Sequence, residues 1–217
     1  MQGKHLIRIV TLMLFLICIF PLASFADTGS AKFNDTKDHW AEKYINYLTD
    51  KQIISGKTET TFESEASLTR AEFTTMLAKA MNLDTATVTG QTYFQDVHAG
   101  DWYYSYVNTT YKANMISGYE DGTFQPNHAI TRAELASLLV KALEYNSISP
   151  SIGKSYQNEI LGRYKDLKDL SWGGKEIAEI INAKLMNGLS DDTFGPNEET
   201  TRAQAAVVIV RFMSMIQ

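Results

Sequence analysis

The sequence predicts an all-α fold of three tandem helix–loop–helix repeats packed around one shared apolar core. Each repeat contains a Thr-Arg-Ala-Glu quartet or its close variant, followed by apolar residues spaced as on one face of an α-helix. Thr is a preferred N-cap, and Glu or Gln three positions later completes a capping box, so each quartet is predicted to start a helix. The quartets lie at 69–72, 131–134 and 201–204.

Further landmarks precede each quartet at nearly constant distances, so the repeat is much longer than four residues. In every copy a Trp lies 30 residues before the signature Arg, a Gly 14 before it and a Phe 8 before it. An aromatic-x-Asp motif opens each copy. A repeat of about 55 residues buries too little surface alone, so the three should share a core. The landmarks are Trp40, Trp102 and Trp172; Gly56, Gly118 and Gly188; Asp35, Asp96 and Asp166.

The first 26 residues have the features of a secretory signal peptide. Lys4 and Arg8 precede an apolar run over 9–20, and Ser24 and Ala26 place small residues before a cleavage site after Ala26. The run is too short for a stable membrane span, so no transmembrane segment is expected after cleavage. Cys18 is the single cysteine of the chain, and it would be removed with the signal.

Composition narrows the classes of function. The net charge is −5 and no run of Lys or Arg occurs, which argues against a nucleic-acid partner. The three histidines after the signal are not spaced as metal ligands, and no nucleophile motif is present. No enzymatic activity, metal or cofactor is therefore predicted.

Within each repeat the first helix is predicted to begin near the Trp. Asp38, Asp101 and Ser171 are candidate N-caps. The Gly that follows the helix is expected to close it in the left-handed conformation. A turn-rich loop leads on to the Phe and the quartet, and Asp121-Gly122 gives its clearest turn signal.

The signature Arg is unusual because a cation at the first helical position opposes the helix dipole. Its repetition suggests an anion opposite, which is either an internal carboxylate or a ligand held by the Arg and the helix N-terminus together. The internal candidates are Asp35, Asp96 and Asp166. Both roles are compatible if the Asp orients the Arg.

Polar segments at 84–92 and 146–162 are predicted to link the repeats. With the signal at 1–26, the boundaries become 32–91, 92–155 and 160–217. We call these unit one, unit two and unit three.

These motifs resemble the S-layer homology domain family. Residues 118–126 (Gly-Tyr-Glu-Asp-Gly-Thr-Phe-Gln-Pro) and 130–134 (Ile-Thr-Arg-Ala-Glu) carry the closest likeness, and the resemblance covers essentially the whole chain after the signal. It implies a pseudo-threefold helical body. It also implies grooves between modules that bind pyruvylated secondary cell-wall polysaccharide non-covalently, with the signature Arg contributing to each groove.

The resemblance and the landmarks together define a candidate glycan-binding set. An Arg can clamp the carboxylate of a ketal-linked pyruvate. The three tryptophans either stack on sugar faces or belong to the core. The glycines serve the loop turn and line the groove as a consequence. The set comprises Arg70, Arg132, Arg202, Trp40, Trp102, Trp172, Asp35, Asp96, Asp166, Gly56, Gly118, Gly188 and Tyr119.

The units depart from one another around the loop and the quartet. Unit one has Lys57 at the position of Tyr119, and unit three has Leu189 there and Gln204 in its quartet. Because unit two keeps the complete loop, Arg132 is expected to contribute most to binding.

The predicted function is a secreted protein of the cell wall or S-layer whose partner is an anionic wall polysaccharide. The alternative is an adaptor that uses the same fold, with degenerate grooves, to dock another envelope protein. A glycan hydrolase would need a positioned acid and base, and no such pair stands out in the sequence.

Overall fold

The computed structural model describes residues 31–88, 90 and 92–217. The predicted signal peptide lies outside these residues. The described chain forms seven α-helices and one 3-10 helix, with no β-strand, which confirms the all-α prediction. The helices are α1 Glu42–Asp50, α2 Arg70–Ala80, α3 Tyr104–Lys112, α4 Arg132–Tyr145, α5 Lys154–Gly162, α6 Gly174–Asn182 and α7 Arg202–Ile216, with the 3-10 helix at Lys165–Leu167.

The quartets start α2, α4 and α7 as predicted. Each Thr side chain accepts a hydrogen bond from the backbone N–H three residues on, and the Glu or Gln at that position accepts from the backbone N–H of the Thr. All three capping boxes are therefore complete, including the one that uses Gln204.

The predicted N-caps of α1, α3 and α6 are wrong. These helices follow Ala41, Tyr103 and Gly173, and none of the three has a side-chain cap. Tight turns satisfy the N–H groups ahead of α1 and α3 instead: the N–H of Tyr104 donates to the carbonyl of Asp101, and the N–H of Glu42 to that of His39. The Trp of each unit lies two residues before its helix.

The predicted role of the conserved-register glycines at the helix ends is also wrong. The left-handed residues that close α1, α3 and α6 are Gln52, Asn114 and Lys184, four positions earlier. Each is followed by a residue whose N–H reaches back to the helix in a Schellman pattern, as Met115 does to the carbonyl of Thr110. The glycines have another function.

Gly118 is required by the close approach of an aromatic ring. A Cβ there would lie 2.6 Å from Cε1 of Phe94 and 2.6 Å from the carbonyl oxygen of Thr123. Gly56 and Gly188 are equally crowded, against the rings of Phe33 and Tyr164. The aromatic residue of each aromatic-x-Asp motif thus packs on the glycine of its own loop.

Gly118→Ala is expected to lower the free energy of unfolding by about 1–3 kcal/mol, because the ring and the loop must move apart. The matched control is Gly100→Ala, since a Cβ at Gly100 meets no atom within 4 Å. Urea unfolding of both variants measures the difference. Equal stability of the two variants would contradict the packing role.

The three units close into a ring. The first helix of each unit packs on the second helix of the preceding one, which pairs α3 with α2, α6 with α4, and α1 with α7. The last pair joins unit three to unit one. A single cluster of buried apolar residues runs through all three units, as the shared-core prediction requires.

A cycle of backbone hydrogen bonds marks the pseudo-threefold axis. The N–H of Leu68 donates to the carbonyl of Thr200, that of Thr200 to Ile130, and that of Ile130 to Leu68, each at 2.9 Å. These residues directly precede the signature Thr of each unit. The cycle therefore fixes the starts of α2, α4 and α7 relative to one another.

Thr200 places a hydroxyl where the other units have Leu68 and Ile130. Its side chain is 1% exposed and its Oγ1 has no hydrogen-bond partner. An unpartnered buried hydroxyl costs about 1–3 kcal/mol. We therefore expect Thr200→Val to raise the free energy of unfolding by about 1 kcal/mol, whereas the same change at the exposed Thr87 should have little effect. Chemical denaturation tests this, and a destabilised Thr200→Val protein would refute it.

The segment 146–162 is not only a linker. Its second half forms α5, which packs on α6. Ile160 and Gln157, three residues apart, are buried, and Gln157 Nε2 donates to the carbonyl of Ile152 at 3.1 Å. The polar composition of the segment concealed this short buried face. Within the described chain, no helix is both long and apolar enough to cross a bilayer.

Candidate functional site

Grooves lie between neighbouring units, on either side of the second helices. Groove A lies beside the loop of unit one and has a volume of about 290 Å³. Its floor is Arg202, which comes from unit three, and Trp102 of unit two lies at its other side. Its polar and aromatic lining includes Gly56, Lys57, Glu72, Lys79, Trp102, Tyr106 and Arg202.

Groove B repeats this arrangement one unit further on, with a volume of about 150 Å³. Arg70 comes from unit one, the loop and α4 from unit two, and Trp172 from unit three. Its lining includes Arg70, Ser117, Gly118, Tyr119, Glu134, Ser137, Lys141 and Trp172.

We use the name groove C for the equivalent positions beside the loop of unit three. Arg132 of unit two contacts this loop. Because α1 packs on α7, Trp40 is the counterpart of Trp102 and Trp172. The corresponding residues are Arg132, Gly188, Leu189, Gln204, Arg211 and Trp40.

Each signature Arg is buried and holds the loop of the following unit. Nε donates at 2.9 Å to the carbonyl of a Phe, which is Phe124 for Arg70, Phe194 for Arg132 and Phe62 for Arg202. Nη2 donates to a second loop carbonyl, from Ser117, Asn187 and Ser55 in the same order. The guanidinium also lies over the ring of that Phe, at 4.4–4.9 Å.

The predicted internal Arg–Asp bridge does not form. No ion pair joins a signature Arg to Asp35, Asp96 or Asp166 within the described chain. Each Asp instead accepts two backbone N–H groups of its own loop, as Asp96 does from Phe124 at 2.8 Å and Gln125 at 2.7 Å. The Asp and the incoming Arg thus hold the same Phe residue, one at its N–H and the other at its carbonyl.

The electrostatics of Asp35 agree with this role. Burial alone would raise the pKa of this carboxyl. The N–H groups of Phe62 and Glu63 outweigh burial, with help from the charge of Arg202, so the pKa lies below its usual value. The carboxylate is therefore charged under all but strongly acidic conditions.

The capping glutamates neutralise two of the arginines. Arg70 Nη1 lies 3.2 Å from Glu134 Oε1, and Arg202 Nη1 lies 3.6 Å from Glu72 Oε1. Burial alone would raise the pKa of Glu134, but hydrogen bonds from the Thr131 backbone and the Tyr119 hydroxyl, together with Arg70, lower it. The same glutamates complete the capping boxes, so each has two roles.

The loop residue at the position of Tyr119 completes these ion pairs. The hydroxyl of Tyr119 donates to Glu134 Oε1 at 2.8 Å, and burial together with this bond raises the pKa of Tyr119 to about 12. In groove A, Lys57 Nζ binds Glu72 Oε1 at 2.5 Å. Groove C offers Leu189, which cannot take part.

Arg132 lacks an acidic partner because its unit-three counterpart is Gln204. No carboxylate of the described chain lies within 4.0 Å of its guanidinium, although the side chain is as buried as those of Arg70 and Arg202. Burial lowers the pKa of Arg132 to about 10, and the more distant charges of Tyr164, Asp166 and Glu198 only partly oppose this. The group still carries its positive charge at neutral pH.

The three tryptophans are not core residues. Trp40, Trp102 and Trp172 are 55%, 61% and 49% exposed. The core alternative for these positions is therefore wrong. Trp102 and Trp172 line grooves A and B with much of their rings open to solvent.

Sequence reasoning misplaced one arginine and missed three basic residues. The complete loop of unit two holds Arg70, not Arg132, so the reason for ranking Arg132 first is wrong. Lys79 and Lys141 line grooves A and B, and Arg211 has the same position on α7. All three lie nine residues after the signature Arg, so extending the repeat alignment past the quartet would have found them.

Comparison with known proteins identifies the repeat. The family model described as the S-layer homology domain matches residues 32–74, 93–136 and 163–206. The exoglucanase XynX of Acetivibrio thermocellus is 36% identical over 184 residues, which cover 83% of this chain and 16% of that protein. The amylopullulanase of Thermoanaerobacterium thermosulfurigenes is 35% identical over 181 residues, covering 82% of this chain and 9% of that protein.

Relatives also include proteins of the surface layer. The S-layer protein of Bacillus thuringiensis subsp. finitimus is 32% identical over 174 residues, which cover 80% of this chain and 20% of that protein. The chain thus spans a fifth or less of the length of these three relatives. The shared part is the region that carries the three repeats.

Proposed function

The chain belongs to the S-layer homology domain family, and from this premise we propose that it attaches non-covalently to an anionic, pyruvylated secondary cell-wall polysaccharide through its inter-unit grooves. Membership and the S-layer relatives indicate a cell-surface location. The relatives that are enzymes match over a small part of their length, which supports an anchoring rather than a catalytic role for this region.

The observation that carries the proposal is the exposure of one Trp per unit beside a groove with a buried Arg. Exposed tryptophans are unusual on a soluble surface, because each leaves a large apolar area in water. A sugar ring presents an apolar face of matching size, and stacking would cover part of that area. The basic residue nine positions after each signature Arg adds a cation near the same surface.

The distribution of charge supports an anionic ligand. The chain is acidic overall, with a net charge of −5, yet grooves A and B each contain one more basic residue than acidic among their lining residues. Groove A has Lys57, Lys79 and Arg202 against Glu72. A local positive potential of this kind attracts an anion that the molecule as a whole would repel.

The test is binding to purified cell walls with and without chemical removal of pyruvate. Trp172→Ala should weaken binding by about 2 kcal/mol, or roughly thirtyfold, if the ring is a central contact. Tyr145→Ala is the control, because Tyr145 is similarly exposed at 53% but lines neither groove A nor groove B. Binding that ignores both the pyruvate and Trp172 would refute the proposal and favour docking on another envelope protein.

A further inference from the structure

We propose that Arg132, in groove C, is the arginine that binds the carboxylate of the polysaccharide, whereas Arg70 and Arg202 hold the fold. This rests on the proposed function, because it assigns one ligand group to one of the three grooves. It reverses the expectation that the best-preserved loop marks the anion site, since that loop lies in groove B.

Grooves A and B already contain the anion that their arginine needs. Glu134 Oε1 lies 3.2 Å from Arg70 Nη1, and Glu72 Oε1 lies 3.6 Å from Arg202 Nη1. A ligand carboxylate that approached Nη1 in either groove would meet this glutamate as a like charge. It would also compete with the neighbouring donors, Tyr119 in groove B and Lys57 in groove A, that bind the glutamate.

Groove C has the same frame without the anion. Arg132 makes the two bonds common to all three arginines, from Nε to Phe194 and from Nη2 to Asn187. Its Nη1 has no hydrogen-bond partner among the described residues and is not among the unpartnered atoms sealed from solvent. A ligand can therefore reach this nitrogen.

The substitution that empties the position is conservative for the fold. Gln204 still accepts the N–H of Thr201 with Oε1, so the capping box is intact. Only the charge is missing. A neutral amide at this position leaves a buried guanidinium without a counterion, and a carboxylate from outside would relieve that desolvation penalty.

The experiment gives groove C the carboxylate that the other two grooves have. In Gln204→Glu the new side chain should pair with Arg132, as Glu134 does with Arg70. We expect affinity for purified pyruvylated wall polysaccharide to fall about tenfold or more, and the melting temperature to rise. The control is Ser151→Glu, an exposed position that receives the same change in net charge and should bind like the wild type.

Isothermal titration with the native and the depyruvylated polysaccharide separates the outcomes. Reduced affinity of Gln204→Glu for the native polymer, with a raised melting temperature, supports the assignment. Unchanged affinity, or a loss accompanied by a lower melting temperature, overturns it and leaves the proposed function in place. A wild type that binds neither polymer overturns the proposed function, and the assignment with it.

Discussion

Replacing Arg70 by alanine should lower the free energy of unfolding by about 3–5 kcal/mol, because it leaves Glu134 buried without its cation. The change also removes the Nε bond to Phe124 that ties unit one to the loop of unit two. Urea unfolding followed by circular dichroism measures the loss. The comparison variant is Arg163→Ala, whose ion pair with Glu159 is exposed and should contribute less than about 1 kcal/mol.

A double-mutant cycle separates the ion pair from the other contacts of Arg70. Glu134→Gln keeps the capping geometry, as Gln204 does in unit three, and removes the charge. The cost of Arg70→Ala should be smaller in the Glu134→Gln background, because no buried carboxylate is then left unpaired. Additive effects, or an Arg70→Ala protein as stable as Arg163→Ala, would exclude the ion pair as a stabilising interaction.

A chain that ends at residue 159 should lose cooperative thermal unfolding altogether. Without unit three, α1 loses its partner α7 and α4 loses its partner α6. The hydrogen-bond cycle also opens, since Thr200 is one of its three members. The remaining two units expose the apolar faces that α6 and α7 covered, and a core of that size is marginal.

Differential scanning calorimetry of this shortened chain makes the comparison, with residues 31–217 as the reference. The reference should show one sharp transition, because its three units share one core. A sharp transition in the two-unit chain would mean that pairs of units fold independently. The closed ring would then be a consequence of folding and not a condition for it.

Features that depend on neighbours in sequence were predictable, and the capping boxes are the clearest case. Thr69 and Glu72 lie three residues apart, so their pairing follows from helix geometry alone. The helix-closing role given to Gly118 failed because Asn114 adopts the left-handed conformation first. The close ring contact that does require Gly118 comes from Phe94, 24 residues earlier.

Features that depend on the arrangement of the units were not predictable. The unusual position of the signature Arg indicated a partner, but the partner of Arg70 is a carbonyl and a glutamate from the next unit. Periodicity within one repeat cannot reveal which repeat is the neighbour. The exposure of the tryptophans follows from the same arrangement, because each lies just before a helix that packs on the preceding unit.

The closed hydrogen-bond cycle also constrains how the chain can fold. Ser55 and Arg202 meet across 147 residues of sequence, whereas Arg70 reaches Phe124 across 54. The contacts between units one and two, and between units two and three, span shorter segments and cost less loop-closure entropy. The junction of unit three with unit one therefore forms last. During synthesis or export from the N-terminus, α1 remains without its packing partner until the final helix of the chain has emerged.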